Sequence, residues 1–182
     1  MTCQCCRRNY YEGLFLSAGV LRSPDYTTEQ IIESRRSLRE DYGCNGYIHA
    51  KAIPGTAPEL VEQMGFLADR LSVHIQLPSE AGLRTLAPDK TKQAILAPMG
   101  QIRVRGQQSR EELVQYRHAP SLAPAGQSTQ LIVGATADTD FPLLRLTQGL
   151  SARYQLKRVF YSASVPVVGH ALLPAKNIKP PL

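Results

Sequence analysis

No apolar run in this 182-residue chain approaches the roughly 20 residues that a membrane-spanning helix needs. The first ten residues are polar and carry no apolar h-region, so no secretory signal is read there and a cytoplasmic location is expected. No repeat and no long basic tail is evident. No spacing sets out a Ser–His–acid triad or a carboxylate pair. Residues 126–129 (GQST) offer backbone donors, but the Lys–Ser/Thr ending of a phosphate loop is missing.

Cysteine is also scarce. The four are Cys3, Cys5, Cys6 and Cys44, and in a reducing compartment all four should be thiols. Three fall within the first six residues, yet Cys5 and Cys6 are adjacent. Neighbouring side chains diverge in an extended chain. Zinc and iron–sulfur patterns separate their ligands by about two or more residues. Residues 1–9 therefore read as a ragged terminus, with a metal enzyme using Cys3, Cys5 and Cys6 as the alternative. Cys44 precedes a strand and reads as a small buried apolar residue.

What is present is an ordinary soluble composition, 43% hydrophobic and 20% charged, in a chain long enough for one domain with a real core. The net charge of +6 and the pI of about 9.3 suit a polyanionic partner such as DNA or another nucleic acid. The basic residues are scattered, with small clusters at Arg7 and Arg8, at Arg35 and Arg36, and across 103–110.

Short apolar runs alternate with helical patterns along the chain. Strands are expected at 13–17, 46–52, 70–77, 130–134 and 157–163. Between them, Thr27 or Thr28 should cap a helix that ends at Gly43, and Pro58 opens a short one. Ser79 should cap another. Residues 88–98 suggest a helical turn or two, and 101–117 an exposed helix or helix pair. Residues 140–154 place Leu143, Leu144, Leu146 and Leu150 on one face. Residues 165–182 are a Pro-rich tail. Strand and helix alternate four times before a fifth strand, which implies a parallel α/β sheet, open or closed into a barrel.

In either architecture the working edge lies at the C-terminal ends of the strands. It gathers Ser17, Ala18 and Gly19, then His49, Ala50 and Lys51, then residues 76–80, then 134–139 and 161–164. Lys51 and Glu80 supply charge there, a set suited to a ligand bearing both an amine and a carboxylate. Each has a plainer reading: a tight turn at Gly19, a solvated strand end at Lys51, a helix-start carboxylate at Glu80. His49 and His74 read as lining or core residues. Gly134 has the plainer reading of close strand–helix packing.

Several segments resemble radical S-adenosylmethionine (radical SAM) proteins of the DNA-modification and DNA-repair type. They include RRNY at 7–10, EGLFLS at 12–17, RSPDY at 22–26 and NGYIHAKAIPG at 45–55. Further matches are ADRLSV at 68–73, LAPDK at 86–90, YRHAP at 116–120, APAGQSTQLIVG at 123–134 and LKRVFYSA at 156–163. The resemblance spans nearly the whole chain from Arg7.

The resemblance implies a partial (β/α)6 TIM-like barrel, with a [4Fe–4S] cluster held by a CxxxCxxC motif after the first strand. It implies reductive cleavage of S-adenosyl-L-methionine to a 5′-deoxyadenosyl radical, with an electron donor such as flavodoxin or ferredoxin. By position, Ser17, Ala18 and Gly19 would meet the methionine amino group and Lys51 its carboxylate. Ser79 and Glu80 would reach the ribose, and Gly134 with Ala135 the adenine. The chain has no CxxxCxxC motif and no C-terminal helix-hairpin-helix-like region. It is therefore expected to be one partial barrel domain over 1–182, truncated at both ends and lacking the first strand unit. A sheet edge would then be exposed. The alternative is a non-catalytic remnant that holds a nucleotide-like ligand without a cluster.

Overall fold

The computed structural model describes residues 12–165. Cys3, Cys5, Cys6 and the tail beyond 165 lie outside the described residues. Five parallel strands carry the fold: β1 (Gly13–Leu16), β2 (Tyr47–Lys51), β3 (Arg70–Ser72), β4 (Gln127–Val133) and β5 (Arg158–Ala163). Five helices connect them: α1 (Pro24–Glu40), α2 (Pro58–Leu67), α3 (Glu80–Leu86), α4 (Lys92–Gln115) and α5 (Asp140–Tyr154).

The strands lie side by side in sequence order, β1-β2-β3-β4-β5. Right-handed crossovers between neighbours taken in order put every helix on the same face. The sheet curls away from its helices into a half-barrel, which decides between the open-sheet and barrel readings. Strand alternation then sorts the side chains. Ile48 and Ala50 of β2, Leu71 of β3 and Leu131 of β4 are fully buried on the helical side. They join Val61 and Met64 of α2 and Ile95 and Met99 of α4 in one core.

Helix starts follow from local chemistry. Ser23, not Thr27 or Thr28, caps α1: its hydroxyl accepts from Tyr26 N at 3.1 Å, and Pro24 takes the first helical position. Thr27 and Thr28 sit inside the first turn, buried, bonding back to Ser23 O and Pro24 O. Ser79 caps α3 as expected, accepting from Gly82 N. Residues 88–117 hold one long helix rather than two short pieces. Pro98 lies within it, and its ring removes one backbone bond. The face of Ile95, Pro98, Met99 and Ile102 packs on the sheet with helical spacing, and that burial carries the helix through the proline.

The ladder of β3 stops at Ser72, five residues before the expected end. The side chain of Thr129, fully buried, takes its place. Its hydroxyl donates to Val73 O at 2.7 Å and accepts from Ile75 N at 3.1 Å. Cys44 is buried and disulfide-bonded, which corrects the expectation of four free thiols.

Replacing Thr129 with valine keeps the shape and strands two backbone groups. Thr129→Val should cost about 1–3 kcal/mol in a urea unfolding titration. A loss below about 0.5 kcal/mol would mean that water or a neighbour satisfies those groups.

Candidate functional site

The concave face, opposite the helices, is polar. His49 and Lys51 of β2 alternate with the buried Ile48 and Ala50, so they share that face. Phe15 pairs in register with His49. Its ring lies 4.6 Å from the His49 ring and 6.2 Å from that of His74, nearly parallel to the latter. Ser72 Oγ sits 3.1 Å from His74 Nε2, and Ser128 Oγ 3.5 Å from His49 Nε2. Arg70 donates to the Tyr47 hydroxyl at 2.7 Å, while its Nη1 is buried with no hydrogen-bond partner.

Past β3 the chain turns sharply. Gln76 adopts a left-handed conformation, φ 64°, costly for a residue with a Cβ. It is held by two bonds to β4: Gln76 N donates to Gln130 O, and Ile132 N donates to Gln76 O. This re-aims the Gln76 side chain, whose Oε1 accepts from Lys90 Nζ at 2.6 Å. Strained backbone held by its surroundings is common at functional sites. Lys90 comes from the loop between α3 and α4, so its arrival at the sheet was not visible in the sequence.

The electrostatics are one-sided. Burial pushes His74 down to about 4, helped by the positive charges of Lys51, His49 and Lys90. Burial pushes His49 down to about 4 as well, with Arg70 adding to it. Burial lowers Lys51, and burial together with Lys51 lowers Lys90. No carboxylate contributes to any of these four shifts. The result is a concave surface with two neutral imidazoles and unneutralised cations, ready for an anion.

The residues singled out from the sequence are only partly brought together. Ser17, Ala18 and Gly19 follow β1 directly, and Gly19 faces open space. Lys51 ends β2 beside them. Gly134, with φ 79°, ends β4, and Ala135 after it is nearly buried. Asp138, within the 134–139 segment expected at the working edge, ties this loop to α3. Its Oδ2 accepts from Ser79 Oγ at 3.0 Å and from Thr136 Oγ1. The Ser79 hydroxyl is thus spent on capping and on Asp138. Glu80 is exposed, 3.9 Å from Arg84, and lines a cleft with Thr91, Leu96 and Arg153 on the helical side. The structure does not bring Glu80 to the concave face.

No family model matches the chain, and no curated protein matches it. No helix among the described residues is long and apolar enough to cross a membrane.

The histidines make a testable pH signature. In the fold both stay neutral down to about pH 4, whereas the unfolded chain protonates them near 6.5. Between those values the unfolded state binds more protons, so stability falls as pH drops from 6.5 towards 4 and levels off below. His74→Gln should flatten that slope relative to wild type in urea titrations across this range. Parallel slopes would show that His74 titrates normally in the fold.

Proposed function

We propose that the concave face binds S-adenosylmethionine, as one wall of a radical SAM-type barrel that acts on nucleic acid. The observation that carries this reading is the convergence of Lys51 and Lys90 beside His49 and His74 without a neutralising carboxylate, a seat for the carboxylate of the methionine part with the sulfonium held away from the lysines. The half-barrel fold and the polar strand ends support it. The unmet donor at Arg70 Nη1 is a further invitation to an anion on the same face. The sequence resemblance supplies the identity of the ligand.

On this reading Lys51 holds the methionine carboxylate, and the backbone at 17–19 receives the amino group. Gly134, just past β4 with φ 79°, is where the adenine would approach, and the half-exposed Phe15 ring gives the ligand an apolar surface. Glu80 has no part in it, because it lines the outer cleft.

A [4Fe–4S] cluster does not fit the described residues. They contain no group of three or more His, Cys, Asp or Glu able to hold a metal. Cluster ligands and an electron donor would have to come from elsewhere, so no reductive step is assigned to the residues of this face. The absence of a CxxxCxxC motif favours a second reading, in which the same face holds a nucleotide-like ligand without radical chemistry.

Calorimetry of the full chain with S-adenosylmethionine tests the binding. Lys51→Met should weaken it by about tenfold or more, the loss expected for one charge-assisted contact. Unchanged affinity would remove Lys51 from the site, and no binding to the wild type would sink the assignment. Anaerobic iron–sulfur reconstitution separates the two readings. About four irons per chain with cleavage of S-adenosylmethionine supports the enzyme, and an iron-free chain that still binds supports the remnant.

A further inference from the structure

At the opposite end of the sheet, where β4 and β5 begin, lies a second cavity of about 340 Å³. Its size is at the lower end for small-molecule sites. It is closed by α4, by the loop before β4 and by the end of α5. Three cations line it: Arg103, Arg110 and Lys157. No acidic residue lines it. None of the three side chains has a hydrogen bond or ion pair among the described residues, in contrast to Arg105, which pairs with Glu62 and Glu112.

The floor carries an unmet acceptor. Gln127 is 3% exposed, and its Nε2 donates to Met99 O at 3.2 Å and to Tyr154 O at 2.6 Å. These bonds fix the amide and satisfy the last carbonyl of α5. Its Oε1 is left buried with no partner. A buried acceptor without a donor is unfavourable, and a ligand hydroxyl or amino group would relieve it.

Two glycines keep the space open. A Cβ at Gly106, in the middle of α4, would meet nothing closer than 3.9 Å, so the helix leaves room where most residues would fill it. Gly126 has φ 78°, and a Cβ there would stand 2.6 Å from Lys157 Cγ. Its absence lets the Lys157 stem lie across the backbone at the rim.

Cations without carboxylates select a dianion, and guanidinium groups suit phosphate oxygens. The buried acceptor selects a ligand with a donor beside that anion. We propose that this cavity binds a phosphomonoester, with Arg103, Arg110 and Lys157 on the phosphate and Gln127 Oε1 accepting from a neighbouring hydroxyl or amino group. The site is separate from the concave face and does not depend on what binds there.

The test is titration of the full chain by calorimetry and ³¹P NMR with three probes. They are inorganic phosphate, a nucleoside 5′-monophosphate, and a short oligodeoxynucleotide with and without a 5′-phosphate. Saturable one-to-one binding is expected, tighter for the monophosphate than for inorganic phosphate. The double variant Arg103→Gln/Arg110→Gln should lose about tenfold or more in affinity without a change in thermal melting. A preference for the 5′-phosphorylated oligonucleotide over the mononucleotide supports the site and assigns its phosphate to a nucleic-acid end. The reverse preference supports it and assigns a free metabolite. Failure of every phosphate probe to saturate, or equal affinity in the double variant, overturns the proposal.

Discussion

Sequential strand order forces every crossover onto one side of the sheet, and the rest of the molecule follows from that constraint. One face is buried under five helices and is built from Ile48, Ala50, Leu71, Val73 and Leu131. The other face has no helix layer among the described residues. Parallel sheets are usually apolar on both sides because both sides are covered. Here the side without a helix layer among the described residues carries His49, Lys51, His74 and Gln130 instead, so the same strands that make the core also present these polar groups.

That chemistry is set by what is missing from it. Burial first, and then repulsion among cations that share a half-buried surface without a carboxylate, lowers the proton affinity of these groups. The imidazoles yield first and stay neutral. The lysines stay on the same face, and among the described residues Lys90 donates to Gln76 Oε1. The cavity at the other end repeats this logic with guanidinium groups, and adds an acceptor that a bare anion cannot satisfy.

The alternation of strand and helix was legible because it needs only local pattern. β2 and α5 came out within a residue or so of their observed bounds. What failed needed information from afar or a closer look at one residue. The cap at Ser23 is written in the sequence, since serine followed by proline marks a helix start, although Thr27 and Thr28 offer the same capping chemistry nearby. The shortening of β3 was not written there: Thr129, more than 50 residues away, supplies the bonds that the ladder lacks. Pro98 looked like a break and is carried through by an apolar face that its neighbours provide. The strand-end position of Lys51 and the 134–139 segment that holds Asp138 follow from local pattern, whereas Lys90 reaches the concave face from a loop and Glu80 lies in the cleft on the helical side, because a helix start has more than one side.

Asp138 joins the segment after β3 to the segment after β4. Thr136 also crowds Gly82, where even a methyl group would come within 2.9 Å. The two segments are thereby clasped and must travel as one body. The residues after β1 are tied instead to the helix that follows them: Thr27 Oγ1 accepts from Leu21 N at 2.8 Å and donates to Leu21 O at 2.9 Å. The rim of the half-barrel is thus pinned in two ways, loop to loop on the β3–β4 side and loop to helix at β1.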